Sequence, residues 1–492
     1  MDERLISYDP RTLEPVGEVP VTPPGEIPAL VARSRTAFAC WSALDQAERR
    51  VHLRAFKQAV LDRGEDVART IASETGKTAT DAYALEVLTS LTVMDHYLRH
   101  AARYLRRRRG GSWPFVSTMG WTEFQPRGVA GVISPWNYPF FLSMIPVFTA
   151  LAAGCSVVLK PSEKAPLSGQ LLADVATAAG LPADLLLVAH GGAQVGAALV
   201  DQADVVAFTG STAVGRKVAE AAGRRLIPAI LELGGKDPMI VLDDAHVGRA
   251  ARAAVWSGML NGGQTCVSTE RVYVVDGVYD RFLTALEREF EHVAAGSGDR
   301  REIGPLIDRA QFDLVDTHVA DAVAKGARLL RGGRRSGANP GLYYEPTLLT
   351  EVDHTMALMQ EETFGPVLAV LRVADDREAI EMANQGTYGL HASVWGRDRR
   401  RAAGVASQLR SGTVAINDVD VNFIMPTIPF GGVGDSGLGV VFGAEGIRSF
   451  CHPKGITAAR LPVSTTALLG ARFPRRRGMG YWKTLARVLF RW

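Results

Sequence analysis

Cysteine is scarce in this sequence: 492 residues carry four, Cys40, Cys155, Cys266 and Cys451. They stand far apart and form neither a Cys-x-x-Cys pair nor a Cys/His cluster with zinc spacing. That excludes a disulfide framework, leaves no metal site to expect, and fits a reducing, cytoplasmic compartment. Charge of one sign is missing too. The 55 basic and 52 acidic side chains leave a formal charge of +3, too little over this length for nucleic acid to be a general partner. The opening residues, MDERLISYDPRTLEP, contain no apolar core and no Arg-rich amphipathic stretch, so no secretory or organellar leader is expected. No repeat of solenoid period is present.

One stretch, residues 128–159, lacks charged side chains altogether and by length alone could span a bilayer. Pro135, Pro139, Pro146 and Asn137 interrupt it and predict a buried strand, a loop and a buried helix instead. The composition, 47% hydrophobic and 22% charged, is that of a folded globular protein. The length passes the roughly 250–300 residues at which a single core stops growing, so more than one domain is expected.

Apolar runs of strand length alternate with helical patterns over residues 129–241: VAGVIS, SVVLK, LLLVAH, VVAFTG, AILELGG and PMIVL. Such alternation predicts a largely parallel sheet with helices on both faces and ligands beyond the carboxyl ends of its strands. The residues just past those strands are polar or Gly-rich: PWN at 135–137, KPSE at 160–163, HGG at 190–192 and TGS at 209–211. A second alternating series, with RVYVV, VLAVLRV, ASVWG and TVAIN, covers residues 271–451 and predicts a second α/β domain. Between residues 104 and 128 the pattern is a helix end followed by two short strands and a turn.

Chemistry concentrates in two places. NGGQTC ends at Cys266, and its glycines could bring a thiol beside free backbone N–H donors. A lone cysteine is more often a small buried hydrophobe, so context must decide. Glu232, in LELGGK at the end of an apolar run, is most simply a solvated loop carboxylate. Partly desolvated, it would have a raised pKa and could act as a general base. Asn137 alone could merely cap the following helix.

PWN at 135–137, KPSE at 160–163, FTGSTAVG at 208–215, LELGGK at 231–236, GQTC at 263–266, EETFGPV at 361–367 and PFGG at 429–432 together resemble the aldehyde dehydrogenase superfamily, in order and along nearly the whole chain. The resemblance implies an α/β fold with a Rossmann-like NAD-binding domain (1–110 and 125–234), an α/β catalytic domain (235–450) and a small β oligomerisation element (111–124 and 451–460), followed by a basic C-terminal extension (461–492). It implies that Cys266 attacks an aldehyde, that Asn137 and the Cys266 N–H stabilise the oxyanion, and that Glu232 activates the water that hydrolyses the thioester. NAD, with NADP admissible, would be held by Ser134, Pro135, Trp136, Lys160, Ser162, Glu163, Gly192, Gly196, Phe208, Gly210, Ser211, Leu233, Gly234, Glu362 and Phe364. Lys160 and Glu163 resemble the pair that binds the adenosine ribose, and a carboxylate there favours NAD over NADP. Gly210 and Ser211 resemble the loop that starts a helix beneath the pyrophosphate.

The same resemblance lines the substrate tunnel with Tyr138, Phe141, Ile145, Leu260, Thr265, Val267, Phe423 and Ile424. Most are apolar, and no Arg adjoins Cys266 or lies within DVDVNFIMP, so an aliphatic or aromatic aldehyde is expected rather than an acidic semialdehyde. Succinic semialdehyde oxidation, or a catalytically silent member with a binding role, stands as the alternative. A cysteine hydrolase would need a histidine base, and CoA-acylating relatives generally lack the base at the Glu232 position. The sequence departs from many relatives after PFGG, reading VGDSGLGVVFGAEGIRSF without their Lys and Arg, which bears on local packing. A homodimer or homotetramer is implied. The tail, with seven basic and no acidic side chains after Ala471, either packs as a terminal helix on its own subunit or a neighbour, or lies at a membrane interface as a basic amphipathic helix.

Overall fold

The protein is described by a computed structural model that covers residues 3–111, 113, 118–296, 302–337, 341–460 and 478–490. Its first sheet has six strands in the order Gly437–Leu438, Ala229–Glu232, Val205–Thr209, Val129–Ile133, Ser156–Lys160 and Leu186–Val188. All pair in parallel except Gly437–Leu438, which lies antiparallel on Ala229–Glu232. The chain starts in the middle at Val129–Ile133, adds two strands on one side, then returns to add Val205–Thr209 and Ala229–Glu232 on the other. That reversal makes a topological switch point between Val129–Ile133 and Val205–Thr209, where open α/β sheets bind ligands.

The charge-free stretch forms the interior of this unit. Strand Val129–Ile133 is buried throughout, and every side chain of helix Phe141–Ala153 is buried. Gly154 ends the helix at φ 98°, a left-handed position that favours glycine. The apolar face of this helix packs against Leu88–Leu105 and Gln46–Asp62 in a continuous core. Among the described residues no helix is long and apolar enough to cross a membrane.

The second sheet has seven strands in the order Arg328–Arg331, Thr347–Thr350, Val367–Val373, Thr269–Val275, Asp237–Val241, His391–Trp395 and Thr413–Ile416. Only Arg328–Arg331 is antiparallel to its neighbour. PMIVL, read from the sequence as the last member of the first series, belongs here: Asp237–Val241 pairs with Thr269–Val275 and His391–Trp395. Two glycines, Gly234 and Gly235, carry the chain from one sheet to the other after Glu232 and Leu233.

A third sheet pairs Thr118–Pro126 with Cys451–Ala459 on one side and Arg108–Gly110 on the other, both antiparallel. The turn expected in residues 111–124 falls partly outside the described residues. So does most of the tail. Its described part contains helix Met479–Leu489, none of whose side chains is buried within this chain.

Candidate active site

The loop that presents Cys266 owes its shape to NGG. Asn261, Gly262 and Gly263 take φ of 55°, 65° and 72° in succession, a run of left-handed residues that Asn and Gly tolerate best. A side chain at 263 would place its Cβ 2.0 Å from the Gly365 carbonyl oxygen. Gln264 then fastens the turn: its Nε2 donates to the carbonyls of Asn261 (3.0 Å) and Pro305 (3.1 Å), and its Oε1 accepts from the Ile307 N–H at 2.9 Å. Cys266 emerges partly buried just beyond.

Cys266 and Glu232 face one small cavity of ≈ 20 Å³, walled by Leu142, Ile145, Phe208 and Phe423. That is room for about one water molecule. Neither carboxylate oxygen of Glu232 has a hydrogen-bond partner among the described residues, and burial drives its pKa well above the usual carboxylate range. Burial also raises the Cys266 thiol, and Asp237, Glu362, Glu232 and Asp420 add to the effect. Both groups therefore hold their protons more tightly than they would in water. Once Glu232 loses its own, it is an unusually strong base beside the thiol and any water in that cavity.

Asn137 is buried, and its Nδ2 donates to the Gln264 carbonyl at 3.0 Å, two residues before the thiol. Its own backbone carbonyl accepts from Lys77 Nζ (2.8 Å) and Asn261 Nδ2 (3.0 Å). Lys77 is paired with Glu86 at 2.7 Å, both almost wholly buried. The other Glu86 oxygen accepts from the N–H groups of Phe140 and Phe141. A buried ion pair thus clamps the loop that carries Asn137 and Tyr138, a role invisible in the sequence because a Lys and a Glu nine residues apart carry no pairing signal and each is usually solvated.

Asn137 and Cys266 also line a second cavity of ≈ 250 Å³ at the switch point, with Pro135, Trp136, Gly210, Ser211, Leu233, Gly234, Glu362 and Phe364. Trp136 and Phe364 meet edge to face, ring centroids 5.5 Å apart. A side chain at Gly234 would place its Cβ 2.4 Å from the Glu362 carboxylate, which instead accepts the Gly235 N–H at 2.9 Å. Burial and the neighbouring Glu270 raise Glu362 to about 8. Glu270, ion-paired to buried Lys236, accepts the N–H groups of Thr363 and Phe364 (both 3.0 Å) and so fixes the EETFG loop. Lys236 and Glu270 were not singled out by the sequence reading.

Ser211 lines this cavity and immediately precedes helix Thr212–Arg225, whose first N–H groups have no intrahelical partner. Phe208 packs under Gly210, where a Cβ would come 2.7 Å from its ring, and lines the cavity at Cys266. Outside the ≈ 250 Å³ lining, Lys160 bonds Glu163 at 2.9 Å, and Gly196 packs beside the Lys160 stem. Gly192 begins helix Ala193–Val200. Ser134 receives the Ser143 hydroxyl at 2.7 Å and Ser162 the Lys164 N–H at 3.2 Å. Burial opposes charge on Glu163, but Lys160 outweighs it and holds the carboxyl below its usual value.

A third cavity of ≈ 800 Å³ takes in Tyr138, Phe141, Leu260, Thr265, Val267, Phe423 and Ile424. Ile145, expected there, lies in the small cavity beside Cys266 instead, while Phe423 lines both. Walls the sequence did not indicate come from Leu85 and Leu88 and from Trp256, Arg249 and Arg252. Neither arginine adjoins Cys266 or falls in DVDVNFIMP, the two places where none was expected, and Arg252 is turned to Glu289 at 3.4 Å. Asp420 also lines it: one oxygen accepts from Ser257 at 3.1 Å and the other has no partner among the described residues.

The aldehyde dehydrogenase family model matches residues 1–456. This chain belongs to that family. It is 41% identical over 456 residues to a Methylomonas protein named 4,4'-diapolycopene aldehyde oxidase, covering 91% of this chain and 84% of the relative. It is 37% identical over 457 residues to a Mycobacterium tuberculosis protein provisionally named succinate-semialdehyde dehydrogenase (NADP+) 2, covering 92% and 88%. A crystal structure of Mycobacterium tuberculosis aldehyde dehydrogenase complexed with NAD+ superimposes with a TM-score of 0.89 at 34% identity, covering 94% of this chain and 95% of that one. The protein is therefore an NAD(P)-dependent aldehyde dehydrogenase. Its switch-point crevice, helix N-terminus and Gly-backed Glu362 fit that cofactor.

Proposed function

We propose that this aldehyde dehydrogenase oxidises a large apolar aldehyde, aliphatic or aromatic, to the carboxylic acid through a thiohemiacetal and a thioester on Cys266. The Cys266 thiol gives its proton to water, and the thiolate sulfur bonds to the carbonyl carbon. The carbonyl oxygen becomes an oxyanion that the Asn137 amide and the Cys266 N–H stabilise, a donor typically contributing ~2.7–4 kcal/mol. Bound NAD(P)+ supplies the hydride acceptor. As the oxyanion collapses to a C=O the aldehyde's C–H bond breaks, its hydrogen leaving with the electron pair, and the thioester forms; Glu232 then takes a proton from a water that adds to the thioester, and the acid leaves as the C–S bond breaks, returning the thiolate. The ionised Glu163 favours NAD by repelling an added ribose phosphate.

The observation that carries the substrate reading is the ≈ 800 Å³ cavity whose Thr265 and Val267 flank the nucleophile and whose other walls are mainly aromatic and aliphatic. An aldehyde on a hydrocarbon skeleton, as in the name of the Methylomonas relative, suits this lining. Across straight-chain aldehydes, kcat/KM is predicted to rise about fourfold per CH2, the worth of ~0.8 kcal/mol of burial, until the cavity is filled. A flat dependence on length would refute the reading. Arg249 and Arg252 favour a second one, a semialdehyde whose carboxylate reaches the rim; the unpartnered Asp420 oxygen in the same cavity opposes it. Strong preference for succinic semialdehyde in the same assay would select it.

The edge of strand Cys451–Ala459 away from Thr118–Pro126 supports assembly into a homodimer or homotetramer by strand addition. The exposed helix Met479–Leu489 supports peripheral membrane contact. Tyr481, Trp482, Leu485, Val488 and Leu489 share one side of it, with Lys483 and Arg487 opposite.

A further inference from the structure

Helix Leu88–Leu105 runs straight into Arg106–Arg109, and the last two of these begin strand Arg108–Gly110. Here lies a cavity of ≈ 820 Å³ that belongs to neither the cofactor crevice nor the substrate cavity. Arg103, Arg106, Arg107, Arg108, Arg109 and Arg448 wall it, with only Tyr104 and Ala444 between them. Compensation is thin. Arg107 lies 3.7 Å from Glu123 and Arg448 3.8 Å from Glu445. Arg103, Arg106, Arg108 and Arg109 have no ion pair with any carboxylate among the described residues. Residues 112–117 and 461–477, which follow strands Arg108–Gly110 and Cys451–Ala459 in the sequence, contain no Asp or Glu.

Arg448 is fixed in the wall by two bonds to the Tyr104 carbonyl (3.1 and 2.8 Å). Burial and then the nearby Arg108 weaken its hold on its proton, the mark of like charges crowded together. Guanidinium groups in such a set present paired N–H donors that match phosphate oxygens. No carboxylate among the described residues fills that demand beyond Glu123 and Glu445.

The source of the phosphate follows from connectivity. Arg108–Gly110 and Cys451–Ala459 flank the same central strand, and the chain leaving Cys451–Ala459 leads to the basic helix Met479–Leu489, whose apolar side is uncovered. One small sheet thus bears an uncompensated guanidinium cavity and gives rise to a helix suited to a lipid surface. We propose that the arginine cavity is a docking site for the phosphate headgroups of an anionic bilayer, seating the enzyme where an apolar aldehyde partitions. This rests on the reading of the tail helix as interfacial, and assigns the polar half of the contact to residues outside the tail.

The test is co-sedimentation of the full chain, without aldehyde, with vesicles of phosphatidylcholine alone or mixed with phosphatidylglycerol. Arg106→Ser/Arg108→Ser is compared with Trp482→Ser/Leu485→Ser. Native protein is expected to bind only the mixed vesicles. The arginine pair should weaken binding about thirtyfold, the factor two basic residues carry at an anionic surface, with the loss masked in high salt. Its activity toward a short, water-soluble aldehyde should be unchanged. Native-like binding by the arginine variant, with loss in the tail variant alone, would overturn the cavity while keeping the tail. Absence of native binding would overturn both, without touching the aldehyde assignment. Protection of the arginines from phenylglyoxal by inorganic phosphate but not by vesicles would make this a soluble-phosphate site, and a changed oligomeric mass in the arginine variant would make it a subunit contact; either contradicts the proposal.

Discussion

Asp420 shows how strongly burial sets the chemistry of single residues here. Its carboxyl is raised from 3.8 to about 7 by burial, opposed by the Ser257 hydrogen bond. A raised folded-state pKa means that the folded chain holds the proton more tightly than the unfolded one. The stabilisation is therefore complete below the unfolded value and is lost as pH climbs through about 7. Asp420→Asn keeps an acceptor for Ser257 and has no charge to bury. It is predicted to match the native protein at about pH 4 and to exceed its stability by ~4 kcal/mol at about pH 8. Thermal unfolding followed across that range checks this; parallel curves would contradict it. Glu232 obeys the same rule with no hydrogen bond to oppose it. The dehydrogenase rate should therefore climb with pH as Glu232 and Cys266 give up their protons.

Elements supply what single residues cannot, namely position. The loop bearing Asn137 is held by Lys77 and Glu86, which come from the chain around residues 77–87 rather than from the sheet. Lys77→Met leaves Glu86 buried without its partner and is predicted to cost ~3–5 kcal/mol of stability. Adding Glu86→Leu should restore most of that stability but not the rate, because the Asn137 carbonyl still lacks its Lys77 donor. Equal recovery of both in unfolding and kcat measurements would mean that the pair is purely structural.

This anchor also marks where the sequence stops being legible. The strands ending at Ile133, Lys160, Thr209 and Glu232 stood out because short β-branched runs were followed at once by polar or Gly-rich turns. Cys266, Glu232 and Asn137 could be placed through motifs on those turns. Asp237–Val241 went to the other sheet because strand-length apolar runs carry no information about their partners. Leu85, Leu88 and Trp256 joined the substrate cavity only through tertiary packing of distant helices. The tail's amphipathic period predicted a helix, but a period cannot say what covers its apolar side.

At the scale of the whole molecule, the reacting groups gather where the two large sheets meet. Glu232 ends a strand of the first, Gly234 and Gly235 cross to the second, and Cys266 lies just before Thr269–Val275 of that second sheet. Glu362 reaches the same point from the loop before Val367–Val373. Cys266 lines the switch-point crevice, and its neighbours Thr265 and Val267 line the apolar cavity. The central claim is that aldehyde carbon is carried on Cys266 and released by Glu232. Its most direct test is rapid mixing of Glu232→Gln with NAD+ and a long-chain aldehyde, with mass spectrometry of the Cys266 peptide after quenching. One equivalent of NADH is expected to form in a burst, with an acyl adduct on Cys266 and turnover slowed about 100- to 10,000-fold, the usual contribution of a general base. Steady turnover with no burst and no adduct would contradict it.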